Sequence, residues 1–241
     1  MRISRIYTQA TLQASQSVEL EEKPSHHLSK VLRLKVGSDV ILFNGDGYDY
    51  SGHINAIEKK SVGIYINSRE IKNSESSLKI HLGVAVSKGD RMDWIIQKST
   101  ELGVDEITPL LTERTELKLK GDRKEKKQHH WQQIAIGACE QSGRARLPTI
   151  NRIQHLSEWT QTTKATRKFV LHHRSIKQLN SNDDIGSVCL LIGPEGGLSE
   201  DEIALAEHHH FDALQLGPRI LRTETAPLAA ISILQHHWGD M

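Results

Sequence analysis

The chain has only two cysteines, Cys139 and Cys189, far apart in the sequence. That scarcity excludes a disulfide framework and predicts a reducing, cytoplasmic setting. No apolar run approaches the roughly 20 residues that cross a bilayer, so no membrane span is expected. The opening "MRISRIYTQATLQ" lacks the apolar stretch of a secretory leader. An excess of charge of one sign is missing too. The formal net charge is +1, so composition alone does not announce a nucleic-acid binder. The usual phosphate cradles, Gly-x-x-x-x-Gly-Lys-Ser/Thr and Gly-x-Gly-x-x-Gly, do not occur. Nor do His-Glu-x-x-His or the nucleophile elbow Gly-x-Ser-x-Gly. Histidines recur in adjacent pairs (26–27, 129–130, 172–173, 208–210, 236–237), but neighbours on a strand or helix point apart, so no metal is expected.

What remains is a soluble composition, 37% hydrophobic and 25% charged, in 241 residues, enough for one large domain or two ordinary ones. Residues up to about 70 read as a small β domain: "VILF", the turn "NGDG", the alternating "YDYSGHI", then "SVGIYIN". "SREIKNSESS" (68–77) lacks periodicity and reads as a linker. Beyond it strands and helices alternate. "LKIHLGVAV" is a strand. "DRMDWIIQKSTELG" is a helix opened by Asp90, with Met92, Ile95, Ile96, Ser99 and Leu102 on one face. "EITPLL", "KFVLHH", "SVCLLIG" and "DALQLG" are further strands, with helices at 122–141, 199–208 and 226–237. This alternation predicts a mostly parallel sheet covered on both faces.

Three strand ends carry loops of interest: "LHHRS", "GPEGGLS" and "LGPRILRTETAP". Ligands of open α/β sheets sit beyond the carboxyl ends of the strands, where three such loops can converge. In "LLIGPEGGLSEDEI" a buried strand runs into a glycine-rich turn, and Ser199 with Glu202 forms a capping box that opens a helix. Glu195 in that turn repels a pyrophosphate but tolerates a neutral ligand or one with a positive centre. S-adenosylmethionine, an adenosine with a sulfonium cation, is such a ligand.

The two motifs "LLIGPEGGLSEDEI" and "LGPRILRTETA", with "QKSTELGV", "ACEQSGR" and "MRISRIY", resemble the RsmE family. Its members are bacterial 16S rRNA (uracil-N3)-methyltransferases of the SPOUT superfamily, and the resemblance spans essentially the whole chain. It implies an α/β protein with an N-terminal PUA-like β-barrel that binds RNA (residues 1–72). It also implies a C-terminal SPOUT α/β domain with a deep trefoil knot (73–241), which binds S-adenosylmethionine and forms a homodimer. Knots are rare exceptions to chain topology, and the residue pattern itself gives only a parallel sheet. Carried over residue by residue, the resemblance places Leu171 and His172 against the cofactor. From the second loop it adds Ile192, Gly193, Pro194, Glu195, Gly196, Gly197 and Leu198. The third loop contributes Leu216, Gly217, Ile220, Leu221, Arg222, Thr223 and Thr225.

The implied substrate is 16S rRNA, within the 30S subunit. Uracil N3 carries a proton, so the enzyme must help remove it or stabilise the anion, and a base-paired N3 must first be exposed. Arg222 and Glu224 are the candidates for catalysis. Arg222 would stabilise negative charge on the uracil oxygens, while Glu224 would orient it or accept the proton. The alternative reading of both is a structural brace. Basic residues at Arg2, Arg5, Lys30, Arg33, Lys35, Arg144 and Arg146 are candidates for phosphate contacts, although solvated faces account for any single cluster. Two other functions fit the same fold, a ribose 2′-O-methyltransferase and a non-catalytic RNA-binding protein. On the last helix, Leu228, Ile231, Leu234 and Gln235 share a face that suits either a dimer contact or an ordinary core.

Overall fold

The computed structural model describes residues 3–116, 121–172, 179 and 185–241. Arg2 and His173 to Ser175 of "LHHRS" lie outside the described residues. The chain divides into two compact units. The first holds strands β1 (Ser4–Tyr7) and β2 (Ser17–Glu19) and the short helix α1 (Glu22–His26), which runs on into a π-helical turn at His27–Val31. Strands β3 (Asp39–Phe43), β4 (Tyr48–Ile57) and β5 (Val62–Ile71) complete it. The sheet order is β1-β3-β4-β5-β2, with β1 parallel to β3 and the other pairs antiparallel. Alternation along β4 and β5 sends Tyr50, Ile54, Val62, Ile64 and Ile66 into one core. The expected linker shrinks, because β5 continues through Ile71 and pairs with Tyr48.

This unit also takes in Cys139–Leu147, from the remote stretch containing "ACEQSGR". The reason is buried polar pairing. Arg144 is 3% exposed and ion-paired to Glu75 at 2.6 Å. Arg5 pairs with Asp49 at 2.6 Å, lies over the Phe43 ring and donates to the Cys139 carbonyl at 2.7 Å. Tyr7 N–H donates to Glu140 at 2.9 Å. Arg5 and Arg144 are therefore corrected as candidates for RNA contact: their charges are spent internally, and unpairing a buried charge is costly. Arg146 stays exposed.

The second unit contains a seven-stranded sheet ordered β12-β10-β11-β6-β7-β8, with β9 also on β7 and every pair parallel. In chain order it runs β6 (Lys79–Ala85), α2 (Arg91–Glu101), β7 (Glu106–Leu111), α3 (Asp122–Ser142, which belongs to this unit through Ala138), β8 (Thr149–Ile150), β9 (Gln154–His155) and α4 (Leu156–Thr162). Then follow β10 (Arg167–Leu171), β11 (Ser187–Ile192), α5 (Glu200–His208), β12 (Asp212–Leu214) and α6 (Thr225–Trp238). The two-residue period of β11 splits its side chains between the faces. Val188, Leu190 and Ile192 pack with Met92, Ile95, Trp131 and Ile231, while Cys189 and Leu191 pack with Trp159 and Ala206. Both faces are covered, as the alternation predicts. Asp90 stands at the N-cap of α2 but makes no side-chain capping bond.

Helix α6 turns three of the four residues of its apolar stripe into the core, with Leu228 half-buried. Ile231, Leu234 and Gln235 are fully buried in their own unit's core. The Gln235 amide is satisfied there, accepting from Ser76 Oγ at 2.7 Å and donating to the Leu102 carbonyl at 3.0 Å.

A buried polar network lies in the middle of the sheet. His81 Nε2 accepts from the Trp159 indole N–H at 3.1 Å and lies 2.7 Å from Thr108 Oγ1. An indole N–H only donates, so this nitrogen is the unprotonated one and the ring is neutral, with Nδ1 beside Thr163. Burial pushes the His81 pKa below its ordinary 6.5, against the opposing pull of Glu106. The unfolded chain thus takes up this proton first on acidification, so stability is intact above pH 6.5 and is lost as pH falls. The urea midpoint is expected to drop between pH 7.5 and 5.5, and to drop less in His81→Gln. Equal drops in the two proteins would place the acid sensitivity elsewhere.

Candidate functional site

Three loops at the carboxyl edge of β10, β11 and β12 surround a cavity of about 690 Å³. That is within the usual range of roughly 300–1,000 Å³ for small-ligand sites. Every residue that lines it belongs to the second unit. Leu171 and His172 contribute from the end of β10, where His172 N–H donates to the Leu214 carbonyl at 3.1 Å. The run from Ile192 to Leu198 forms one wall, and Leu216, Gly217, Ile220, Leu221 and Thr223 come from the third loop. Of the residues expected against the cofactor, Arg222 and Thr225 do not line the cavity. Arg222 is exposed between two lining residues, and Thr225 is the first residue of α6.

The glycine-rich wall is shaped by close backbone approach. A Cβ on Gly193 would lie 2.9 Å from Leu198 Cγ and 3.0 Å from Leu198 N, so only glycine lets the loop fold back. Gly197 closes the turn with its N–H on the Pro194 carbonyl at 2.8 Å and takes φ +70°, a region most side chains avoid. The capping box is formed: Ser199 Oγ accepts from Glu202 N–H, and Ser199 N–H donates to the Glu202 carboxylate at 3.0 Å. The same carboxylate accepts from Glu113 N–H at 2.8 Å.

Two arginines that the sequence did not single out hold this wall. Arg114, in the segment after β7, lines the cavity and donates to the Gly196 carbonyl at 2.8 Å. Arg91, the first residue of α2, is ion-paired to Glu195 at 2.8 Å and lies 3.8 Å from Glu224. Burial works to raise the Glu195 pKa. Hydrogen bonds from its own N–H, the Arg91 guanidinium and the Lys88 N–H outweigh it and hold the carboxyl below the usual range. Glu224 lies 3.8 Å from Arg91, a partner from a remote part of the chain. Neither arginine carried a local signal, since the partners lie some eighty to a hundred residues away. Pro218 and Arg219 also line the cavity, as do Leu214 and Gln215 just before the third loop and Ile203 and Ala226 from the flanking helices.

The donor set suits an adenosine-bearing cation better than a polyphosphate. Its lining is mostly glycine and aliphatic residues, an ionised carboxylate stands in the glycine turn, no lysine closes that turn, and of the two lining arginines Arg114 is engaged on the Gly196 carbonyl. Among the described residues no His/Cys/Asp/Glu group could hold a metal ion, and no helix is long and apolar enough to cross a membrane.

Comparison with known proteins points the same way. A family model described as an RNA methyltransferase domain matches residues 74–235, and an RNA methyltransferase PUA domain matches residues 20–64. The chain is 40% identical to the ribosomal RNA small subunit methyltransferase E of Buchnera aphidicola subsp. Schizaphis graminum, over 100% of this chain and 98% of the relative. A methyltransferase of Legionella pneumophila, solved in complex with the cofactor SAM, superposes with a TM-score of 0.96 at 43% identity, covering both chains fully. The ribosomal RNA small subunit methyltransferase E of Neisseria gonorrhoeae, solved bound to S-adenosyl methionine, gives 0.93 at 36% identity, again over the full length of both.

Proposed function

The chain belongs to the ribosomal RNA small subunit methyltransferase E family, and from that premise we propose that it methylates N3 of a uridine in 16S rRNA within the 30S subunit. It is an RNA methyltransferase with an N-terminal PUA domain, and its methyl donor is S-adenosylmethionine. The observation that carries the reading is the convergence of three strand-end loops on one cavity walled by backbone groups, with Glu195 where a phosphate cradle would need a cation. Bound there, the cofactor supplies an electrophilic methyl group. Gly193 and Gly197 let the loop backbone close on it, and Leu171, Ile192 and Leu221 exclude water. Arg222, exposed outside the cavity, is positioned to meet a base arriving from solvent and to stabilise negative charge as N3 loses its proton. Glu224, held by Arg91, is the group we assign to take that proton. A trefoil knot, a homodimer and a cytoplasmic location complete the proposal and rest on the family resemblance.

The deciding experiment incubates the protein, labelled S-adenosylmethionine and 30S subunits from a strain lacking the gene, and then analyses the nucleosides. Label in 3-methyluridine is the expected result. Label in a 2′-O-methylated nucleoside would assign the fold's other chemistry, and no transfer despite cofactor binding would leave an RNA-binding protein.

RNA contact is assigned to Lys30, Arg33 and Lys35, all exposed around the π-helical turn and beside the exposed Val31 and Val36. Phosphate contacts release counterions, about 0.7–0.9 per neutralised charge. Replacing all three by alanine is expected to weaken 30S binding by roughly tenfold at moderate salt, and to flatten the log affinity against log salt slope by about two. An unchanged slope, measured by filter binding, would remove this surface from the interface.

A further inference from the structure

Three segments remote in sequence meet at Arg91. Its guanidinium Nη1 lies 2.8 Å from Glu195 Oε1, in the glycine-rich wall of the cavity. Its Nε lies 3.8 Å from Glu224 Oε2, at the N-cap of α6, between Thr223 and Ala226, which both line the cavity. Arg91 does not itself line the cavity. Arg91 thus reaches the second loop through Glu195 and the end of the third loop through Glu224.

We propose that Arg91 is a positioning residue of the cofactor site, an ionic clamp that fixes the second and third loops relative to each other. Without its charge the two carboxylates lose their shared counterion. The second loop keeps its brace from Arg114, while the start of α6 loses its connection to it. The cavity then has to order its own walls when it fills, a cost that shows in affinity. The pair is partly exposed, with Arg91 41% and Glu195 38% accessible, so solvent screens it and the effect is several-fold rather than total.

The inference rests on the S-adenosylmethionine reading, and calorimetry separates their failures. If the wild-type chain binds no S-adenosylmethionine, that reading falls first. Given wild-type binding, Arg91→Ala is expected to weaken it roughly fivefold with an unchanged melting temperature, and Arg91→Lys to restore most of the loss. In a Glu195→Gln/Glu224→Gln background, Arg91→Ala should cost less than twofold, because the arginine acts through those carboxylates. Wild-type affinity in Arg91→Ala would overturn the clamp. So would a fivefold loss that persists in the double-glutamine background, since it would mean that Arg91 acts on the cofactor by another route.

Discussion

Gly193→Ala is expected to weaken S-adenosylmethionine binding by roughly 10–100-fold while leaving cooperative unfolding intact. Position 193 is where β11 ends and the chain folds back so closely that a methyl group would meet both the Leu198 side chain and the Leu198 and Gly197 backbone. Backbone on that side cannot swing away as a flexible side chain does, so the loop itself must shift. Overpacking of this kind costs about 1–3 kcal/mol. Here the strain falls on the wall that contacts the ligand rather than on the sheet beneath it. Gly196→Ala is the internal control: its Cβ would meet only Arg114 Cδ and Cβ, at 3.4 and 3.5 Å, both ordinary contacts. Calorimetry on the two variants should therefore separate by at least an order of magnitude. Binding within threefold of wild type in Gly193→Ala would show that the loop accommodates the methyl and that the close approach is not functional.

The parts of this molecule that were legible in the sequence are those whose signals are local. The apolar run of β11, the glycine turn and the Ser199/Glu202 capping box sit within a dozen residues and mark a strand, a loop and a helix in order. The face of α2 was legible for the same reason, since Met92, Ile95, Ile96 and Ser99 repeat at helical spacing and are all buried. The pairs β8 and β9 and the single turn-rich α4 were not legible. They are too short to show a period, and α4 is fixed by tertiary contacts such as the Trp159 bond to His81. Charge was the most misleading local signal. Arg5 and Arg144 look like any surface cation until Asp49 and Glu75 are brought against them from distant parts of the chain. Arg91 and Arg114 are invisible for the converse reason, because what makes them part of the site is a loop roughly a hundred residues downstream.

Arg222→Ala is expected to reduce the single-turnover rate of 30S methylation by about 10²–10³, the usual loss when one preorganised charge stabiliser is removed. Arg222 is anchored at its backbone, where its carbonyl accepts from the Thr225 and Ala226 N–H groups at 2.9 Å each as α6 begins. Leu221 and Thr223 on either side line the cofactor cavity, whereas the Arg222 side chain is exposed and lies outside it. A residue that braced the cofactor wall would be buried among those neighbours. One that meets an incoming base has to face solvent until the RNA arrives. This separation makes the prediction sharper than the sequence allowed: S-adenosylmethionine affinity in Arg222→Ala should stay within about twofold of wild type, because the lost side chain touches none of that site. Turnover and cofactor binding falling together would mark Arg222 as part of the cofactor wall. A rate within about threefold of wild type would leave it a structural residue and move the search for the charge stabiliser to Arg219, which lines the cavity from the same loop.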